Sequence, residues 1–94
     1  MTPFARRVLD VVDAIPPGRV LTYGDVAELV GSAAPRAVGM VLARHGDEVP
    51  WHRVVLASGA PAPGHAPRAL LLLREEGAHV RAGRVDLDRA RWDG

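Results

Sequence analysis

Chemistry in this sequence concentrates in one stretch, Val49-Pro50-Trp51-His52-Arg53-Val54-Val55, where an indole, an imidazole and a guanidinium follow one another between apolar flanks. Read as a short strand within 49–56, adjacent residues point to opposite faces, so Trp51 and Arg53 share one side and His52 faces the other. Taken by itself, the stretch reads as a buried tryptophan beside a satisfied histidine. Little else suggests reactivity. The four histidines, at 45, 52, 65 and 79, lack metal-ligand spacing, no carboxylates cluster, and Glu75-Glu76 reads as a solvated pair near a helix end. Neither a glycine-rich phosphate loop nor a serine nucleophile motif is present. The chain has no cysteine, which excludes thiolate nucleophiles, disulfides and cysteine-ligated zinc.

The elements that must position these residues belong to a chain of 94 residues, 48% of them hydrophobic. That length fits a single domain spanning 1–94, since two cores would need roughly 100 to 200 residues each. All 12 basic residues are arginine, set against 11 acidic ones for a net charge of +1, and there is no lysine, asparagine or glutamine. Near-neutrality argues against bulk electrostatic capture of nucleic acid but leaves room for a local arginine contact. The longest apolar run, Ala69 to Leu73, is far short of the roughly 18 residues a membrane span needs. Asp10 and Asp13 interrupt any signal-peptide reading. A soluble, cytoplasmic protein without metal, cofactor or membrane partner is expected.

Thr2-Pro3 supplies a capping hydroxyl and a first-turn proline, and Phe4, Val8, Val11, Val12 and Ile15 recur at helical spacing, predicting a helix over 3–14. Pro16-Pro17-Gly18 ends it, and a short extended piece, 19–21, follows. Thr22-Tyr23-Gly24-Asp25 is a capping box opening a second helix with a buried stripe of Val26, Leu29 and Val30, closed by Gly31. A third helix starts within 32–35 and stops near Gly46. Its apolar side is Val38, Val41 and Leu42, and its other side carries Arg36, Ala37, Gly39, Met40 and Ala43. Residues 47–65 are otherwise irregular. Pro67 then opens a fourth helix ended by Gly77, and Val80 to Leu87 suggests a small hairpin or wing, with Arg81 and Arg84 flanking its turn. The predicted class is mainly α with small β elements, a winged helix-turn-helix-like DNA-binding domain. The small residues on the third helix allow either approach to a narrow groove or merely close helix packing.

Pro50-Trp51-His52-Arg53-Val54, together with Thr22-Tyr23-Gly24, Arg36-Ala37-Val38-Gly39 and Glu76-Gly77, resembles the DNA-binding domain of O6-alkylguanine-DNA alkyltransferases, in the same order and from Phe4 to at least Leu87. The enzymes of that family carry Pro-Cys-His-Arg, whose cysteine accepts the alkyl group irreversibly. Here Trp51 stands at the cysteine position, the mark of alkyltransferase-like proteins, which bind such lesions without removing them. An indole cannot substitute for a thiolate nucleophile.

The resemblance implies a non-enzymatic sensor that binds O6-alkylguanine in double-stranded DNA through the minor groove, flips the nucleotide and marks it for nucleotide excision repair, acting as a monomer. It places Arg36 in the base stack and Tyr23 by the target phosphate, with Ala34, Pro35, Ala37, Gly39 and Met40 along the groove. Tyr23, Leu42, Trp51, Val54 and the loop 58–64, ending at Gly64, form the lesion pocket, and without a thiol that pocket is free to accept larger adducts. His52 and Glu76 are remnants of the activating relay, bonded to each other or to water. The sequence departs from the family in having His45 near a conserved hinge asparagine, Pro63 near a serine, and no arginine between Leu56 and His65, Arg68 lying just beyond. A sequence-specific helix-turn-helix transcription regulator is the alternative, disfavoured by the missing base-reading amides and lysines and by the lack of a dimer seam.

Overall fold

The computed structural model describes residues 1–94. Helix α1 (Pro3–Ala14) begins where the Thr2 hydroxyl accepts from the Ala5 amide at 3.1 Å. It buries Ala5, Val8, Leu9 and Val12 at i, i+3, i+4 and i+7 spacing. The chain turns at Gly18, whose φ of +84° suits glycine. A β-carbon there would also press on the Glu76 carbonyl oxygen at 2.9 Å.

Strand β1 (Leu21–Thr22) leads directly into α2 (Tyr23–Leu29). Both halves of the predicted capping box are made: the Thr22 hydroxyl accepts from the Asp25 amide, and the Asp25 carboxylate from the Thr22 amide, each at 3.0 Å. Gly31, at φ +75°, turns the chain toward α3 (Pro35–His45), completing a helix-turn-helix. The predicted stripe of α2 is corrected at one position. Val26, Ala27 and Val30 are buried, whereas Leu29 is 58% exposed, because the buried face is centred between Val26, Val30 and Ala27, which at about 100° per residue leaves Leu29 turned away from its middle.

Two 3-10 turns, Gly46–Glu48 and Trp51–Arg53, precede β2 (Val54–Val55). Helix α4 (Ala66–Glu75) follows, and then β3 (Val80–Arg81) and β4 (Arg84–Val85) form the antiparallel wing around Ala82-Gly83. Leu87 belongs not to the wing but to a fifth short helix, α5 (Leu87–Ala90), capped by the Asp86 carboxylate.

Strands β1 and β2 pair in parallel, Leu21 with Val54 and Thr22 with Val55, and Val20 bridges Arg91. Alternation along these strands divides the interior. Leu21 and Val54 face a core built with α1, α2 and α3, whereas Val20 and Val55 face a second core with Leu73, Ala78, Val85 and Ala90. The ribbon therefore stands between the helix-turn-helix and the α4–wing unit, and its register sets Tyr23, the residue after β1, beside the Trp51–Val54 segment. No helix is long and apolar enough to cross a membrane.

Candidate nucleic-acid interface

The 51–53 segment is a 3-10 turn rather than the expected strand, and this changes which side chains act together. At about three residues per turn, His52 and Arg53 both reach Glu76 while Trp51 is left toward solvent. Arg53 grips the carboxylate bidentately, Nε to Oε1 at 3.0 Å and Nη2 to Oε2 at 2.6 Å, and its Nη1 donates to the Ile15 carbonyl at 2.7 Å. His52 Nε2 lies 2.9 Å from Oε2, and the Gly18 amide donates to Oε1 at 3.4 Å. An ionised carboxylate only accepts, so the Nε2 nitrogen carries the proton. Burial alone would push the Glu76 carboxyl up, but the Arg53 and His52 hydrogen bonds, the His52 charge and the Gly18 amide together hold it down at about 2. Glu76 is thus not the solvated residue its neighbour suggested. It fastens the end of α1, the Trp51 turn and the end of α4 to one another.

That anchoring presents Trp51 on the wall of an open cleft of about 1070 Å³. The indole lies edge-on to His52, with centroids 5.9 Å apart, and tilted against His65 at 5.4 Å. Of the residues expected in a pocket, Tyr23, Leu42, Trp51 and Val54 line this cleft together. The loop contributes Ala62 and Pro63, while Gly64, at φ +87°, turns the backbone between Pro63 and His65 without lining the cleft itself. Burial raises the pKa of the Tyr23 hydroxyl.

Pro35, Arg36, Gly39 and Met40 of α3 continue the same surface, so the cleft opens onto the exposed side of the second helix of the helix-turn-helix. Ala34 and Ala37 lie beside it, outside the cleft, with Ala34 exposed. Gly39 is open enough that a β-carbon there would meet only Tyr23 Cε1, at 4.0 Å. Arg36 is exposed and has no partner among the ion pairs. Asp47, His65 and Arg68 also border the cleft. Sequence reasoning did not place Asp47 or His65 there, since no spacing rule ties a residue at the head of α4 to a tryptophan 14 positions earlier. No group of three or more His, Asp or Glu side chains is placed to hold a metal ion.

Comparisons with known proteins identify the family to which this fold belongs. Residues 3–78 match the family described as 6-O-methylguanine DNA methyltransferase, DNA binding domain. The chain belongs to this family. Among its relatives, the DNA base-flipping protein of Escherichia coli (strain K12) is 45% identical over 96 residues, covering 96% of this chain and 74% of its own. Alkyltransferase-like protein 1 of Schizosaccharomyces pombe is 42% identical over 62 residues, 63% of this chain and 57% of its own. In structure, S. pombe Atl1 in complex with damaged DNA containing O6-carboxymethylguanine superimposes with a TM-score of 0.87 at 31% identity, over 100% of this chain and 98% of its own. The Mycobacterium tuberculosis OGT in complex with DNA gives 0.70 at 35% identity, covering 82% of this chain and 50% of its own. The winged helix-turn-helix-like fold, mainly α with small β elements, is therefore that of the family's DNA-binding domain.

Proposed function

We propose that this chain is a non-enzymatic sensor of O6-alkylguanine in double-stranded DNA. The reading rests on Trp51, which stands on the wall of a cleft that opens beside the exposed face of α3 and which the Pro50-Trp51-His52-Arg53 resemblance sets at the position of the family's alkyl acceptor. With no cysteine anywhere in the chain, alkyl transfer has no nucleophile. The His52–Glu76 pair then serves to hold the Trp51 turn.

A lesion inside a duplex is out of reach, so recognition requires the nucleotide to be extruded at a cost of a few kcal/mol. Arg36 fills the vacated stack from the minor groove while Ala34, Pro35, Ala37, Gly39 and Met40 lie along the groove. Tyr23 turns the target phosphate. The extruded base enters between Tyr23, Leu42, Trp51 and Val54, under the loop that ends at Gly64. At about 0.8 kcal/mol per buried CH₂, a methyl group gives only a few-fold preference, so the weakened pairing of the damaged base contributes at least as much. The cleft is open to solvent rather than closed over the base, which leaves room for bulkier adducts. The protein acts as a monomer in the cytoplasm, and the marked site is handed to nucleotide excision repair proteins by analogy with the family.

The test is a titration at fixed salt of two otherwise identical duplexes, one with a single O6-methylguanine, followed by tryptophan fluorescence. Trp51 reports on the cleft and Trp92 gives a background signal. Tighter binding of the damaged duplex, with a change in Trp51 emission and no covalent mass gain, is expected. Equal affinities for the unmodified, methylated and bulkier-adduct duplexes would sink the reading.

A further inference from the structure

Residues 79–94 lie beyond the family match, and the function proposed above makes no use of the wing they contain. Arg81 and Arg84 are cross-strand partners in its two-residue ladder and both are exposed. Like charges directly opposite one another destabilise a hairpin. The turn between them adds strain, because Ala82 sits at φ +53° in the left-handed region where glycine is the usual occupant. No internal acid relieves the pair: the ion pairs of the structure are His52–Glu76, Arg53–Glu76, Arg89–Asp86 and Arg91–Asp25. Asp86 is engaged twice, since its carboxylate also caps α5, which leaves Asp88 as the one uncommitted carboxylate bordering the hollow beside the two arginines.

This tip is coupled to the cleft. The Val85 amide donates to the Gly59 carbonyl at 2.9 Å, and Gly59 is buried at φ +88° with no room for a β-carbon against the Val85 carbonyl. Gly59 begins the loop that continues to Ala62 and Pro63 on the cleft wall. Ser58 borders the wing hollow and Ala62 borders the cleft. Only three residues lie between them, so the Cα atoms of Ser58 and Ala62 are at most about 14 Å apart, on the order of the rise of four base pairs.

From this geometry we propose that Arg81 and Arg84 form a second DNA contact, a clamp on the sugar-phosphate backbone a few base pairs from the extruded nucleotide. The inference rests on the DNA-binding reading above but not on lesion specificity. Two guanidiniums facing each other across a two-residue hairpin suit two successive phosphates, and anions held against them remove their mutual repulsion. Such a contact carries no sequence or lesion information; it fixes register and orientation.

The experiment measures affinity for damaged and undamaged duplexes between 50 and 200 mM salt, for the wild type and for the Arg81→Ala/Arg84→Ala variant. Both side chains are exposed and outside the cores, so the variant's melting temperature should match or exceed that of the wild type. At about 0.9 in log–log salt slope per phosphate contact, the variant's slope is expected to be shallower by nearly two. The wild type should then lose about tenfold more affinity than the variant across that range. Both duplexes should weaken by the same factor, leaving their ratio unchanged, and Arg81→Lys/Arg84→Lys should restore most of the slope. A wild type that binds undamaged, methylated and bulkier-adduct duplexes equally would remove lesion sensing and leave the clamp standing if the slope still changes. Unchanged affinity and slope in the alanine variant would overturn the clamp and leave the arginine pair to an acidic protein partner. Weakening confined to the damaged duplex would also overturn it.

Discussion

Replacing Glu76 by glutamine tests the idea that a family relay pair has become a structural clasp. The carboxylate is 18% exposed, and its partners Arg53 and His52 are 14% and 10% exposed. Glutamine keeps the shape but loses the charge and turns an NH₂ group toward donors from Arg53 or His52. One pKa unit corresponds to about 1.4 kcal/mol. Holding the carboxyl at about 2 rather than 4.5 is therefore worth ~3 kcal/mol at neutral pH, and ~2 kcal/mol once residual solvent contact is allowed for. Removing one member of a buried pair typically costs a similar 3–5 kcal/mol. In a domain of this size each kcal/mol moves the melting temperature by about 4–8 °C, so Glu76→Gln should melt about 10–15 °C lower at pH 7. Because the folded carboxyl is depressed, its contribution is fully present above pH 4.5 and is lost as the pH falls from 4.5 toward 2. The gap between wild type and variant should close over that window, the other carboxylates being common to both. Thermal unfolding at pH 7, 4, 3 and 2.5 measures it, together with duplex binding well below the variant's melting point, where lesion preference should persist. A gap that stays constant from pH 7 to 2.5, or a fall of less than about 3 °C, would refute the clasp.

Arg36→Ala should weaken binding of the damaged duplex by about 30-fold or more, as expected for a hot-spot arginine, while an exposed site leaves stability within about 0.5 kcal/mol; equal affinity would remove Arg36 from the base stack. Gly39→Ala separates packing from groove approach, because the added methyl meets only the Tyr23 ring at 4.0 Å. Helix propensity should raise stability by up to about 1 kcal/mol, and a fall in DNA affinity on titration would then assign the glycine to the groove. Trp51→Cys should show no covalent mass gain on incubation with O6-methylguanine DNA, since so wide a cleft does not hold the alkyl carbon in line with the new thiol. Efficient transfer would show that His52 and Glu76 remain organised for chemistry.

Helix boundaries were legible wherever a local hydrogen bond decides them. Thr2, the Thr22–Asp25 box, Gly31 and Gly77 all act within a few residues of themselves, and the periodicity of α1 and α3 carried the fold class. The Trp51–Arg53 turn was not legible, because the partner that draws His52 and Arg53 to one side is Glu76, more than 20 residues away. The family resemblance did pair His52 with Glu76, but the same distance hid the part of Arg53 in the cluster from the spacing of Glu75-Glu76. Helix α5 did leave a sign, a capping Asp86 before Leu87, but the alternation of Val85 and Leu87 looked like more strand. Of the cleft, Tyr23, Leu42, Trp51 and Val54 could be named through the family resemblance, whereas His65 joins only through the packing of α4.

The β1 segment has no local partner at all. Leu21 and Thr22 find theirs at Val54 and Val55, and Val20 exchanges backbone hydrogen bonds with Ala90 and Trp92, some seventy residues later. Loop-closure entropy grows only logarithmically, so the longer of these two closures costs little more than the shorter, but both delay the strand kinetically. During synthesis α1 to α3 can collapse early, yet the strand that aims Tyr23 stays unpaired on one side until residues 90–92 have left the ribosome. The two edges of the segment that leads into Tyr23 are thus completed at different lengths of chain, the β2 edge by residue 55 and the Val20 edge only with residues 90–92.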